Sequence, residues 1–584
     1  MKKLARVGRG DMRETWRANW FALWRRDRAP LLALGVVFLV MTYPFAQTMD
    51  HTLPGNEVDT HTALWQNWWL REALLGGLDT NHSQLLFHPT GLDVSLQPKR
   101  WTTFPLWTLL YSLVGDPLAF NLTASLGSIF KAYGMYLVGL LLFKRRLPAL
   151  VAGAYFAFNF YNLRVALELP NTGATEWIPW FMLLFMRALF RLRAGAGWRA
   201  GAPVMLGAGI CFSLNLYMNL KIGILAMLLG GGFALLYMTA SGLWRARDCW
   251  LALLLFSSTA LVICAPLLLH TLGNENFAAA AERPVRALAY FDLYWQWWQA
   301  GLASLGLALL GIAYIIRWRR GAWIWLALAL VFNLLSMGIV FHFRGEPLPI
   351  YWTPYRLLED NFFFRTLNYP ERVYAIFVFA YSLLIGFGFC LLRRWLGERR
   401  WVSLSLILLA GLALYDSRIF PLVQRAEMQS DYVAALDELQ PGALIDAPFG
   451  RQVSKYYMSL QRHHLRPIVE GMTARMPPDA YKYIDANPVL RQLSYSSRLY
   501  GKRRPVVGLN ATQWQAGLDA LVADGFRYLV LHDYVPSRGR PLSRERPADW
   551  VITLLAGQPA VYADDEVAIY DLLELDADAL AAAA

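Results

Sequence analysis

Charge is scarce in this chain of 584 residues: only 17% are Asp, Glu, Lys or Arg, against roughly 25% in ordinary soluble domains. Cysteine is scarcer, at 4, which excludes a disulfide scaffold, and no Cys/His spacing suggests zinc. There is no Gly-rich phosphate loop and no G-x-S-x-G elbow, so nucleotide-loop and hydrolase-elbow chemistry have no motif to rest on. No repeat relates the two halves, as it does in many transporters. The first 29 residues lack the short apolar run and small-residue cleavage site of a signal peptide. The scarcity of charge excludes a disordered tail protein and a typical cytosolic enzyme.

What the chain has instead is apolar length. Hydrophobic residues make up 56% of it, with 24 Trp, 28 Tyr and 32 Phe. Apolar runs recur from Pro30 to Tyr415, nearly all long enough to cross a hydrocarbon core of ~30 Å, and they stop after residue 418. Eleven spans are expected, at 31–49, 119–142, 148–163, 177–192, 201–218, 222–240, 250–269, 299–316, 322–341, 373–392 and 401–417. The net charge of +13 follows this topology. Of 55 Lys and Arg residues, 25 fall on the N-terminal side: in residues 1–29, Lys144 to Arg146, Arg187 to Arg199, Arg245 with Arg247, Arg317 to Arg320 and Arg393 to Arg400. The longer opposite loops hold 11. By the positive-inside rule the N-terminus is cytoplasmic, and an odd number of spans puts the C-terminal part outside. From residue 418 onward 18 basic residues meet 20 acidic ones. The excess charge is a topology signal, and no nucleic acid is expected as a partner.

The expected fold class is thus a polytopic α-helical membrane protein of about 11 spans plus a C-terminal extracytoplasmic α/β domain. Residues 1–29, with Trp16, Trp20, Phe21 and Trp24 among arginines, suit a cytoplasmic interfacial amphipathic segment. Residues 30–420 form the transmembrane domain, with long external loops at 50–118, 164–176, 270–298 and 342–372; long ordered loops are usually functional. Residues 421–584 are the soluble domain, read as strand, helix, strand and closing hairpin around a mainly parallel sheet. Its Ala-rich end suits a frayed tail. Its lack of cysteine fits a bacterial exterior, where disulfides are optional. In the first loop, Thr60 to Leu75 reads as a helix whose Trp65, Trp68, Trp69 and Leu70 hug the membrane. Trp101 to Val114 is too short to span easily and reads as re-entrant or interfacial.

The densest polar group is in that first loop: His51, Glu57, Asp59, His61, Arg71, Asp79, His82, His88, Asp93, Lys99 and Arg100. Asp59 follows the Pro54-Gly55 turn and begins the aromatic helix, so it suits either a helix cap or a base at the membrane surface that takes a hydroxyl proton. Glu168 and Glu176 flank Pro170-Asn171-Thr172-Gly173, with Arg164 just before; an Arg fork suits a lipid phosphate, and equally a snorkelling span end. Arg283, Arg286, Arg344, Arg356, Arg365 and Arg372 form a second external basic set, of which Arg365 to Arg372 is the most site-like. Lys131 lies inside a span, where a charge is either functional or paired with another helix. The histidines of loop one are irregularly spaced. No metal site is expected from them, and a divalent metal requirement stays open.

Taken together, these residues resemble the GT-C superfamily of membrane glycosyltransferases, in the bacterial branch related to protein mannosyltransferases and lipid A aminoarabinose transferases. Four features carry the resemblance over most of 30–420. They are the early acid Asp59 in EVDTHTALWQNWW, the FHPTGLDV turn (Phe87 to Val94), the pair AGAYFAFNFYNLR and TEWIPWFMLLFMRAL, and FRTLNYPERVY before a late span. The chain departs from the fuller signature in having no adjacent Asp-Asp or Asp-Glu pair in loop one, which leaves the base role to Asp59 alone.

The resemblance implies sugar transfer from a polyprenyl-phosphate donor to an extracytoplasmic glycan, lipid or protein acceptor, at the outer face of the bacterial cytoplasmic membrane. Asp59 would be the general base of an inverting displacement. Arg164, Arg365 and Arg372 would hold the departing phosphate, with Lys99, Arg100, His88, Lys131, Glu168 and Glu176 as further substrate-binding candidates. Two other readings compete: a non-catalytic GT-C-like subunit of an envelope or polysaccharide assembly, and a transporter or flippase of lipid-linked substrates.

Overall fold

The structure, a computed structural model, describes residues 27–55, 59–274, 285, 296, 299–350, 352–397, 399–418, 422, 424–426, 431–473, 477, 479–497, 508–533, 535–536, 544–545 and 547–583. Most of the N-terminal amphipathic segment, Glu57, Arg283 and Arg286 lie outside the described residues.

After a helix over 27–41, the chain forms α1 (Asp59–Gly76), α2 (Phe104–Val114), α3 (Leu118–Phe143), α4 (Arg146–Phe158), α5 (Phe160–Glu168), α6 (Ile178–Arg193), α7 (Trp198–Met218), α8 (Leu220–Ser241) and α9 (Arg247–Leu272). Then come α10 (Leu302–Trp318), α11 (Trp323–Ser336), α12 (Tyr374–Leu396) and α13 (Arg400–Asp416). Every one of the eleven apolar runs is largely helical. Five stretches, α3, α7, α8, α9 and α12 with the residues from Pro370, are long and apolar enough by themselves to cross a membrane. The run at 148–163 is broken at Asn159, whose side chain accepts from the backbone N–H groups of Tyr161 and Asn162 and so starts α5 as a separate helix.

The bundle is built around α12, which is buried along most of its length, whereas α9 shows most of its surface outward. Helices α10 and α12 cross closely through small residues: a Cβ on Gly311 would sit 1.9 Å from the Leu384 carbonyl oxygen, and one on Gly388 2.1 Å from that of Leu307. Only glycine permits that approach, the usual device where apolar lipid supplies no drive for helices to associate. Outward apolar side chains such as Leu254, Leu261, Val262, Leu309 and Leu408 are exposed, as lipid-facing positions would be. The chain is a multi-pass membrane protein with a C-terminal α/β region.

That α/β region has a four-stranded sheet of β1 (Ala443–Ala447), β2 (Phe526–His532), β3 (Tyr562–Ala563) and β4 (Val567–Asp571), in the order β3-β4-β2-β1. Only β1–β2 is a parallel pair; β2–β4 and β4–β3 are antiparallel. The sheet is therefore mixed, contrary to the mainly parallel expectation, because the closing hairpin adds both of its strands on one side of β2. The Ala-rich end also differs from expectation. Helix α14 (Ser454–His464) and helix α15 (Ala511–Ala523) precede α16 (Ala577–Ala583), which docks on α15 with Leu580 fully buried.

The main departure concerns α1. Trp65, Trp68 and Trp69 belong to the core of the C-terminal region, together with Tyr456, Leu460, Ile445 and Val530, and do not lie along the membrane. Trp65 is fully buried, stacks on Trp69 and donates its Nε1–H to Gln461 Oε1 at 2.7 Å. Leu70 turns to Phe104 and Trp107 in a smaller cluster. First-loop backbone also joins the sheet region: Ile468, which bridges Leu444 of β1, pairs with Leu86, and Thr52–Pro54 pairs antiparallel with Gln424–Ala426. A large apolar helix face buries against whichever apolar surface removes it best from water, and here that surface lies 396 positions away along the chain, at Gln461.

One buried histidine gives this region an acid limb. His464 is almost fully buried, accepts the Arg466 backbone N–H on Nδ1 at 3.1 Å, and is pushed down to about 3 by burial first and then by Arg466, His463 and His532. The unfolded chain takes up that proton near pH 6.5, so the His464 contribution to stability is lost as pH falls from about 6.5 towards 3. Buried Glu470 is shifted upward and works in the opposite sense. Comparing wild type with His464→Gln isolates the term: the variant's unfolding midpoint is expected to fall less between pH 7 and pH 5, and parallel pH curves would refute the assignment.

Candidate functional site

A cavity of about 430 Å³ opens where the first loop, the span ends and the C-terminal region meet. Asp59 is the only carboxylate among the described residues that line it, and Lys99, Lys221, Arg372 and His270 line it with Asp59. Asp59 stands in the first turn of α1, where the helix dipole favours a negative charge. Its Oδ1 accepts from the Lys455 ammonium of α14, which is itself buried. A carboxylate has two oxygens and several lone pairs, so it can hold Lys455 on one side and accept a hydroxyl proton on the other.

The cations come from three elements. Lys99 ends the turn-rich segment of the first loop and donates to Thr80 Oγ1 at 3.3 Å and to Asn81 Oδ1. Burial pushes its ammonium down to about 8, with Asp79 and Asp93 opposing that shift. Lys221 stands in the first turn of α8, where Asn219 caps the helix by accepting the Lys221 N–H. Arg372 precedes α12, lies over the Tyr369 ring and donates to the Leu367 carbonyl. A run of side-chain amides ties these elements together. Gln66 donates to Gln97 at 2.6 Å, Asn171 donates to Gln66 at 3.0 Å, and Asn219 donates to the Asn171 carbonyl. Asn171, Gln97 and Asn219 all line the cavity.

Of the residues expected from the sequence, the structure brings Asp59, Lys99 and Arg372 together. The others are placed elsewhere. Arg164 pairs with buried Glu168 at 2.9 Å across one turn of α5. Glu168 fills the space beside Gly55 (φ +84), where a Cβ would fall 2.0 Å from its Cγ, so the turn before Asp59 requires glycine. Glu176 is buried and offsets both Arg100 and Lys131; burial pulls the Arg100 guanidinium down and Glu176 counters it. Lys131 is buried within α3, away from the Asp59 cavity. His88 Nε2 sits 2.8 Å from the Asp524 carbonyl and its ring stands edge-on to Phe526, a contact with the C-terminal region. Arg365 pairs with exposed Asp360 at 2.9 Å.

Sequence reasoning missed Lys221, His270 and Lys455. A cation in the three-residue link between two spans, on the expected side of Asp59, was a usable signal for Lys221. Nothing local marks Lys455, whose partner is 396 positions away.

Among the described residues no group of three or more His, Cys, Asp and Glu converges on a metal position. One carboxylate among several cations is a donor set that does not fit a resident divalent ion.

The fold and cavity define a multi-span membrane protein with an anion-attracting site at one end of its spans, lined among the described residues by one carboxylate. No protein-family model matches the sequence, and no curated protein does. Solved structures of GT-C glycosyltransferases are similar to the chain. The Archaeoglobus fulgidus oligosaccharyltransferase AglB, in complex with an inhibitory peptide and a dolichol-phosphate, is 10% identical, with 88% of this chain and 70% of that one covered and a TM-score of 0.47. An Archaeoglobus fulgidus oligosaccharyltransferase in complex with Zn and sulfate is 10% identical, with 86% and 68% covered and a TM-score of 0.42. ArnT from Cupriavidus metallidurans bound to undecaprenyl phosphate is 12% identical, with 95% and 98% covered and a TM-score of 0.42.

Proposed function

We propose that the chain is a GT-C type glycosyltransferase that moves a sugar from a polyprenyl-phosphate donor to an extracytoplasmic glycan, lipid or protein acceptor. It works in the bacterial cytoplasmic membrane with about eleven spans, its N-terminus cytoplasmic and residues 421–584 outside. The observation that carries this reading is the cavity in which Asp59 stands beside Lys99, Lys221 and Arg372. Asp59 takes the proton of the acceptor hydroxyl, the hydroxyl oxygen bonds to the anomeric carbon, and the bond from that carbon to the phosphate oxygen breaks. The electron pair leaves with the lipid phosphate. One displacement inverts the anomeric centre. The three cations stabilise the charge that grows on the phosphate, and such preorganised charge is worth most in a site that excludes water.

The reading is tested by binding a polyprenyl phosphate to the purified full chain. Lys99→Gln and Arg372→Gln are each expected to weaken binding about tenfold, the scale of one charge-assisted hydrogen bond, while Arg365→Gln leaves it unchanged. The wild-type affinity is expected to fall as pH rises through about 8, where the Lys99 ammonium loses its charge, and Lys99→Gln should abolish that dependence. Equal binding by all three variants would remove the donor assignment. A second reading, a non-catalytic subunit, is favoured by one observation: Asp59 is held by Lys455, an arrangement a purely structural strut would also use.

A further inference from the structure

Trp101 lines the Asp59 cavity, yet neither the proton transfer nor the phosphate contacts use it. It stands in the turn before α2, where the Arg100 carbonyl accepts the N–H groups of Thr103 and Phe104 at 2.9 and 3.0 Å. Arg100 holds φ +49 and is itself buried, whereas Trp101 stays partly exposed. The rings of α2 back the indole: Phe104 meets it edge-on at 6.2 Å between centroids, and Trp107 stacks on Phe104 at 6.0 Å. Over a face of the Trp101 ring the Lys99 ammonium stands 5.9 Å from the centroid. Thr80, Gln97, Asn171 and Asn219 share the same lining.

We infer that Trp101 is the platform on which an uncharged pyranose of the donor stacks, with the neighbouring amides at its hydroxyls. The inference rests on the donor reading above. An aromatic face is apolar and carries partial negative charge, and a pyranose presents to it a face of weakly positive C–H bonds. The sugar is bonded directly to the phosphate, so a phosphate held by Lys99 brings the sugar ring to the indole that Lys99 overlooks. Amide side chains carry both donors and an acceptor, which suits hydroxyl groups that need both. Small-molecule pockets combine these two elements, an apolar wall for contact area and a few polar groups that fix orientation. A sugar bearing an ammonium would instead meet Lys99, Lys221 and Arg372, and such like-charge contacts disfavour a ligand.

The test measures binding of undecaprenyl phosphate, undecaprenyl phosphate glucose and undecaprenyl phosphate glucosamine to the purified full chain. The wild type is expected to bind the glucose lipid about tenfold more tightly than the bare phosphate, the scale of one aromatic stacking contact. The glucosamine lipid should bind more weakly than the glucose lipid. Trp101→Leu keeps an apolar side chain against Phe104 and removes the flat face, so the advantage of the glucose lipid should disappear, the loss falling on that lipid. Trp101→Tyr, which keeps a flat ring, should retain most of it. Four results would each overturn the inference while the donor reading stands: no glucose advantage in the wild type, an advantage that survives in Trp101→Leu, an equal loss for all three lipids in that variant, or equal binding of the glucose and glucosamine lipids. A wild type that binds none of the three removes the donor reading, and the inference goes with it.

Discussion

Asp59→Asn is expected to lower sugar transfer by about 10²–10⁴-fold, the range a positioned general base contributes, while the protein keeps its fold. The substitution preserves size and an acceptor oxygen for Lys455, so the buried ammonium retains a hydrogen-bond partner. What it removes is the basicity needed to take the acceptor proton. A charge is also lost from the first turn of α1 and from beside the buried Lys455 ammonium, so some stability goes with it, and an unfolding curve separates that loss from the rate loss. Lys455→Met separates the two roles of the pair. It keeps the carboxylate and frees it from its clamp, so substantial transfer should remain if Asp59 is the base and Lys455 positions it. Transfer measured with a lipid-linked sugar, alongside an unfolding curve for each variant, decides the matter. Wild-type transfer by Asp59→Asn, or a loss matched by a loss of folded protein, would leave the non-catalytic reading in possession.

The second large effect concerns the joint between the first loop and the C-terminal region. Arg462 of α14 pairs with Asp116 at 3.3 Å, and both side chains are about 4% exposed. Asp116 also accepts the Trp107 Nε1–H at 3.0 Å and the Phe120 N–H at 3.2 Å. Arg462→Met therefore leaves a buried carboxylate without its cation, and removing one partner of a buried pair costs about 3–5 kcal/mol. Replacing both, with Asp116→Asn added, leaves no buried charge and should recover much of that loss. The readouts are the denaturation midpoint and the protease susceptibility of residues 421–584. An Arg462→Met protein as stable as wild type would show that the pair is not what holds the joint. Transfer should fall with docking, because α14 carries both Arg462 and Lys455, and Lys455 meets Asp59.

Much of the bundle was legible because burial in lipid leaves a strong mark on sequence. A helix in that medium must be apolar over most of its length, and each apolar run is largely helical. In the C-terminal region short apolar stretches were visible at 443–445, 514–524 and 528–531, which fall within or largely overlap strand Ala443–Ala447, helix α15 and strand Phe526–His532. Pairing direction was not, since whether Val567–Asp571 runs parallel or antiparallel to β2 depends on the route of the chain and leaves no local pattern. Leu580 shows the same gap: an alanine-rich end has high helix propensity, but only α15 beside it makes burial possible.

For the site, residue chemistry singled out Asp59 as suited to proton transfer, and the family resemblance added Lys99 and Arg372 among its substrate-binding candidates. It also offered Arg164, Glu168, Glu176, Arg100 and Lys131, which share those chemistries but do not line the cavity; Arg164 and Glu168 pair with each other instead. Composition and periodicity by themselves determined that this is a multi-span membrane protein with a more polar C-terminal region, because solvent acts on each segment independently. Only the tertiary structure decided that the Trp face of α1 is a core face, that Lys455 reaches Asp59, and that three dispersed cations share one cavity. Those are meetings between segments up to 396 positions apart, and no short-range pattern encodes which distant surface a side chain will find.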